Sequence, residues 1–198
     1  MIKVYLAVNP QFLNKKISCS ERNKELATIK NEKVFNEKLQ VWLLLEYALK
    51  KCGYQIEKLN FKKLTSGKWT AQGVEFSISH NNGVYAVAIS NEPVGIDVQK
   101  HVNVNFDRIA KSIFSDAELS KFELRNGCDR SVEFFKKWAQ KESLYKAYDK
   151  SDVTFKNIES LGYFTQTSEF MFNGDKFTLA VSCPTIKKIE YIVIDNFD

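Results

Sequence analysis

The sequence predicts an α+β fold made of two similar lobes. The order strand, helix, strands occurs once in the first half of the 198 residues and again in the second half, with more helix before its strands. "NEP", at Asn91 to Pro93, is the strongest punctuation near mid-chain and falls between the two occurrences. A chain of this length buries a proper core without metals or disulfides, as one domain or as two small lobes. The lobes are drawn at 1–92 and 93–198. No low-complexity tract or close internal repeat appears, so the halves share a plan rather than a sequence.

Taking the elements in order, "IKVYLAV" from Ile2 to Val8 partly alternates and is rich in β-branched and aromatic residues, the mark of a strand. A polar stretch runs from about Asn14 to Lys30. "NEKVFNEKLQVWLLLEYALKK" then sets Val34, Val41, Trp42, Leu45 and Ala48 at helical spacing, with Lys38 on the same stripe and Gly53 placed to stop the helix. After the turn-rich "KKLTSGKWTAQG", "FSISHNNGVYAVAISNEPVGIDVQ" from Phe76 to Gln99 reads as three short strands. The middle one, "GVYAVAIS", is apolar enough to be buried scaffold.

In the second half, "FDRIAKSIF" has Phe106, Ile109, Ala110 and Ile113 at i, i+3, i+4 and i+7, which predicts a helix. Ser115 and Glu118 form a capping-box pattern that restarts a helix in "SDAELSKF". A long helix follows in "SVEFFKKWAQKESLYKAYDK", then a hairpin turning at Asn173-Gly174, then "IEYIVI" as a closing strand of the second lobe.

Composition narrows the function classes. The formal charge of +5 favours an anionic ligand or an acidic partner without identifying either. Cys19, Cys52, Cys128 and Cys183 never form a C-x-x-C pair, and two histidines are too few for a zinc signature. Reduced thiols and a cytoplasmic location are the expectation. No run approaches the roughly 18 apolar residues of a membrane span. A nucleic-acid-binding module needs a clustered basic face with stacking aromatics, whereas these lysines are interleaved with acids.

Several residues carry chemistry. In "VGIDVQ" the period of two puts Val94, Ile96 and Val98 on one face and Asp97 with Gln99 on the other, beside Gly95. The oxygens suit Mg²⁺, although spacing alone favours a half-exposed sheet face. On the long helix, Phe135, Trp138, Ala139 and Glu142 form one stripe, with Lys146 a turn later. A carboxylate on an inward stripe needs a charge partner, a metal or a raised pKa. His80 ends a strand before Asn81-Asn82-Gly83, a turn whose backbone donors suit an anion, and Lys68 and Lys38 add positive charge.

"GK" at Gly67-Lys68, "FSISH" ending at His80, "VGIDVQ" around Asp97 and "WAQKESLYK" from Trp138 to Lys146 occur together in this order. In order and approximate spacing they resemble the surfactin-type 4′-phosphopantetheinyl transferases. That family shows G-K-P, S-H after a strand, a G-I-D-x-E strand and a W-x-x-K-E-A/S-x-x-K helix. The resemblance implies two α+β lobes in a pseudo-twofold arrangement with the active site in the cleft between them. It implies holo-[acyl-carrier-protein] synthase activity: transfer of the phosphopantetheine arm of coenzyme A to a serine of an acyl or peptidyl carrier protein, releasing 3′,5′-ADP. Carrier proteins of this kind serve fatty acid, polyketide or nonribosomal peptide biosynthesis. Mg²⁺ is the implied cofactor and coenzyme A the co-substrate.

By the same resemblance, Asp97, Gln99 and Glu142 hold the metal and Glu142 is the general base. Lys146 neutralises the pyrophosphate with help from Lys141. His80, Lys68 and Ser79 hold the 3′-phosphoadenosine end, and Lys38 stands where relatives carry an arginine. Arg108, Lys111 and Lys121 make a basic docking patch for an acidic carrier helix. A monomer is expected, with no nucleic acid or membrane partner. The sequence departs from the family at Gln99, in place of a third acidic ligand, at Trp69, in place of the proline, and at Lys38. The alternative is a non-catalytic protein of the same fold that binds coenzyme A or a carrier protein.

Overall fold

The computed structural model describes residues 1–10, 16–149 and 152–194, with the side chain of Ser160 left aside. Asn14 and Lys15 of the polar stretch and Lys150 at the end of the long helix lie outside them. The described residues fall into two compact units, 1–93 with 187–194 and 94–186.

In the first unit, β1 (Ile2–Val8) lies between two strands of a four-stranded sheet. On one side it pairs antiparallel with β5 (Val84–Ser90), which itself pairs with β4 (Glu75–Asn81) across the Asn82-Gly83 turn. Both turn residues have positive φ, 48° and 83°, the geometry that asparagine and glycine tolerate in a two-residue hairpin. All of β5 is buried, as its unbroken apolar run predicts. β2 (Phe61–Lys63) and β3 (Trp69–Ala71) form a small separate ribbon.

Helix α2 (Glu32–Lys51) starts at an Asn31 cap and packs Val41, Trp42, Leu44, Leu45, Ala48 and Leu49 into the core, while the predicted stripe residue Val34 is exposed. Trp69 packs against Trp42 with ring centroids 5.0 Å apart, and the Arg22 guanidinium lies over both rings. The residue that breaks the G-K-P pattern is therefore a core aromatic of this unit.

Two sequence expectations change here. The polar stretch contains a helix, α1 (Ser20–Ala27), which buries only Arg22 and Leu26. Its apolar periodicity is too thin to read. Tertiary bonds hold it, since the buried Glu46 carboxylate accepts from the Ser18 and Cys19 backbone N–H groups at 2.8 and 3.3 Å and from Trp42 Nε1 at 3.1 Å. The closing strand, β9 (Ile189–Ile194), does not join the second lobe of 93–198. It runs parallel to β1, with Ile2 opposite Ile189, and completes the first unit's sheet. An alternating strand states which of its faces is apolar, not which sheet edge it will meet.

The second unit repeats the connection order. β6 (Gly95–Lys100) leads through α3 (Phe106–Ile113) and α4 (Asp116–Glu123) to the long α5 (Gly127–Tyr148), then to the hairpin of β7 (Phe164–Phe172) and β8 (Asp175–Cys183). The sheet order β6-β8-β7 matches β1-β5-β4 of the first unit. The capping box at Ser115 and Glu118 is present. α5 begins four residues before the predicted Ser131, because Gly127 to Arg130 add a polar turn that no apolar spacing marks. Phe106, Phe114, Phe122, Phe134 and Phe135 form the aromatic core under α3, α4 and α5.

Candidate active site

The site of the second unit is set by how closely α5 lies on β6. A Cβ added to Gly95 would sit 1.8 Å from the Ser143 carbonyl oxygen and 2.6 Å from the Ala147 nitrogen, so only glycine admits the helix at this depth. At the same level, Ser143 Oγ meets Ser182 Oγ of β8, the residue opposite Gly95, at 2.6 Å, and Ser182 Oγ meets Thr165 Oγ1 of β7 at 2.7 Å. This buried hydroxyl chain pins the helix to both strands of the hairpin.

With α5 so placed, three of the predicted residues converge around Asp97. The face of β6 that could have been half exposed is covered, and Asp97 retains 3% exposure. Lys146 Nζ donates to Asp97 Oδ1 at 2.7 Å and to the Ile96 carbonyl at 3.1 Å. Gln99 Nε2 donates to Asp97 Oδ2 at 2.7 Å. Glu142, one turn before Lys146, feels both charges. Burial pushes its carboxyl upward, the Asp97 carboxylate adds to the rise, and Lys146 partly offsets it.

Asp97 and Glu142 act on one another's charge, and the Lys146 ammonium acts on both. Carboxylate and amide oxygens suit a hard divalent cation, and Asp97, Glu142 and the Gln99 amide are the residues that would hold it. Among the described residues no group of three or more His, Cys, Asp or Glu is arranged to bind a metal, so such an ion would need further oxygen ligands from a substrate or water.

Lys141 is a correction. Its side chain is fully buried, its Nζ donating to Glu118 Oε2 at 2.8 Å and to the Phe155 carbonyl at 2.7 Å. A cation so enclosed ties α5 to α4 and is withdrawn from the phosphate-binding role expected of it. Glu118 had signalled itself only as a capping residue. It also accepts from the Ser115 N–H at 2.8 Å, and these bonds outweigh burial, which alone would raise it, to bring its carboxyl down to about 2.

The remaining candidates lie in the first unit. His80 stacks on Tyr85 across the β4–β5 hairpin, with ring centroids 6.1 Å apart, and its Nδ1 is 3.9 Å from Glu37 of α2. Lys38, next to Glu37 in sequence, stands 3.8 Å from Glu25, a carboxylate that also binds Lys63 and Arg22. Ser79 is buried on β4. Lys68 sits in the β2–β3 turn, where its carbonyl accepts from the Leu64 N–H at 2.8 Å and Gly67 takes φ +90°. Glu37 was missed by sequence reasoning, and one turn of helix before Val41 it carried no signal beyond its charge.

Comparison with known proteins bears on the second unit. Residues 93–186 match the family model of the 4′-phosphopantetheinyl transferase superfamily, which takes in the whole second unit. The chain is 26% identical over 140 residues to the 4′-phosphopantetheinyl transferase gsp of Aneurinibacillus migulanus, covering 70% of this chain and 59% of that protein. It is 33% identical over 73 residues to a 4′-phosphopantetheinyl transferase of Bacillus subtilis, covering 37% of this chain and 32% of that protein. With Sfp of Bacillus subtilis strain 168 the identity is 32% over 71 residues, covering 36% and 31%. The matched part thus spans less than two thirds of each of these curated relatives. The family model takes in all of residues 94–186, so the second unit carries a domain of the 4′-phosphopantetheinyl transferase superfamily, and the chain is similar to three such transferases.

Proposed function

We propose that this protein transfers the 4′-phosphopantetheine arm of coenzyme A to a serine of an acyl or peptidyl carrier protein, releasing 3′,5′-ADP. The observation that carries the reading is the Asp97–Lys146 ion pair at 2.7 Å, with the half-buried Glu142 carboxyl one helical turn before Lys146 and raised in pKa by burial and by the Asp97 charge.

In the reaction the carrier serine oxygen forms a bond to the β-phosphorus of the coenzyme A pyrophosphate. The bond from that phosphorus to the bridging oxygen breaks, and 3′,5′-ADP departs with the electron pair. Glu142 accepts the serine proton as the general base. Lys146 neutralises charge on the pyrophosphate oxygens as the bond breaks. Asp97, Gln99 and Glu142 would hold the Mg²⁺, which when bound would supply charge neutralisation for the pyrophosphate. Lys38, Lys68, Ser79 and His80 are assigned to the 3′-phosphoadenosine end by resemblance, and the exposed Arg108, Lys111 and Lys121 to carrier docking. The reading is of a cytoplasmic, monomeric enzyme without nucleic-acid or membrane partners. No helix among the described residues is long and apolar enough to cross a membrane.

The test is incubation of purified protein with coenzyme A, Mg²⁺ and a panel of apo carrier proteins, read by intact mass. One phosphopantetheine added to the carrier serine, lost on removing the metal and in Glu142→Gln, is the expected result. Tight coenzyme A binding with no carrier modified across the panel would overturn it and leave a binding protein of the same fold.

A further inference from the structure

Both oxygens of the Asp97 carboxylate already accept bonds from the chain's own side chains. Lys146 Nζ holds Oδ1 and Gln99 Nε2 holds Oδ2, each at 2.7 Å. A glutamate at position 99 would repel Asp97, whereas the amide stabilises it in place. Lys146 is also tethered to the Ile96 carbonyl and retains 27% side-chain exposure, so its ammonium sits at the solvent margin of a buried anion. Ammonium and divalent cation cannot share one carboxylate oxygen without severe like-charge repulsion at a few ångströms.

We propose that Lys146 is an exchangeable counter-ion for Asp97. It neutralises the carboxylate while the site is free of metal, and it must leave Oδ1 for a divalent cation to be bound there. Once displaced, its ammonium is released toward the pyrophosphate it serves in the reaction. This inference rests on the transferase reading for the identity of that second partner. It explains how one lysine can satisfy the buried carboxylate at rest and the substrate phosphates in turn. It also gives Gln99 a function of its own, holding the other oxygen so that Asp97 keeps its orientation during the exchange. Metal and coenzyme A then bind with positive linkage, because the anion receives the ammonium that the metal displaces.

The test is calorimetric titration of Mg²⁺ into the full chain without coenzyme A, comparing wild type, Lys146→Gln and Lys146→Arg. Removing one full charge beside a buried carboxylate should tighten Mg²⁺ binding in Lys146→Gln by about tenfold or more. Lys146→Arg keeps a cation and should stay within about threefold of wild type. Saturating coenzyme A should tighten Mg²⁺ binding to the wild type and do so much less in Lys146→Gln. Mg²⁺ should also raise the melting temperature of Lys146→Gln more than that of wild type, which confirms that the variant is folded. If Lys146→Gln does not fold, Lys146→Met takes its place.

Equal or weaker Mg²⁺ binding in the neutral variant would overturn the exchange, as would arginine and glutamine variants that behave alike. Undetectable Mg²⁺ binding to every form would overturn it too. The transferase reading fails separately, by the absence of carrier modification, and that result leaves a tightened metal site in Lys146→Gln standing.

Discussion

Gly95→Ala tests the whole construction of the site with one methyl group. The new Cβ would lie 1.8 Å from Ser143 O, where real Cβ contacts do not fall below 3.0 Å, so α5 and β6 must give way by more than 1 Å at this point. The clash has no soft side, because the Ser143 oxygen and the Ala147 nitrogen are backbone atoms four residues apart in the helix and β6 is buried from Gly95 to Val98. Overpacking of this kind costs about 1 to 3 kcal/mol and occasionally more, read as a lowered midpoint in urea with an unchanged slope. The functional loss should exceed what the stability loss explains. Glu142 adjoins Ser143 and Lys146 adjoins Ala147, so a shift above 1 Å is passed directly to both, and misplacement of about 1 Å costs on the order of a hundredfold in rate. The assay is kcat for carrier modification in a variant shown to be folded by circular dichroism. A Gly95→Ala protein with wild-type stability and wild-type kcat would refute the claim that close helix-strand approach builds the site.

Three further outcomes follow from the electrostatics. Glu142→Gln should abolish transfer yet raise the melting temperature of the metal-free protein at neutral pH. The folded-state pKa of Glu142 lies above its ordinary 4.5, so ionising it costs stability, and the advantage of the variant should grow as pH rises above 4.5 and vanish below it. Lys141→Met should destabilise by about 3 to 5 kcal/mol in urea titration, since it leaves a largely buried Glu118 carboxylate without its closest cation. In the wild type Glu118 is depressed to about 2, so its contribution is complete above 4.5 and lost as pH falls toward 2, an acid limb that Lys141→Met should shrink without abolishing, since the Ser115 N–H and Lys137 remain. Gln99→Glu should lower the metal-free melting temperature and tighten Mg²⁺ binding by about tenfold, because a second acid replaces the amide donor to Asp97. Unchanged metal affinity would show that residue 99 does not face the ion.

The parts of the site legible in the sequence were those with a short repeat length. The period of two in "VGIDVQ" put Asp97 and Gln99 on one face, and the structure bonds them to each other. Helical spacing put Glu142 and Lys146 on the inward stripe, and α5 brings both to Asp97. Reach is what spacing could not supply. Lys141 and Lys146 lie on the same helix with the same charge, yet one is sealed against Glu118 and the other holds Asp97. The same limit shows in a comparison between helices. Trp42, Glu46 and Lys50 of α2 have the spacing of Trp138, Glu142 and Lys146 of α5. Glu46 spends its oxygens on Ser18, Cys19 and Trp42, whereas Glu142 is left to respond to its neighbours' charges. Which glutamate anchors a loop and which can take up a proton depends on donors that arrive from distant segments.

The parallel pairing of β9 with β1 also has a consequence for how the molecule comes into being. β1 precedes the entire second unit in the chain and β9 follows it, so vectorial synthesis leaves one edge of β1 bare until residues 94–186 have been made. The second unit, which carries Asp97 and Glu142, is a contiguous insertion and can close as it emerges. A chain released after residue 186 would therefore keep every residue of the second unit while β1 of the first unit lacked its β9 partner, leaving an unpaired strand edge of the kind that chaperones and aggregating strands both recognise.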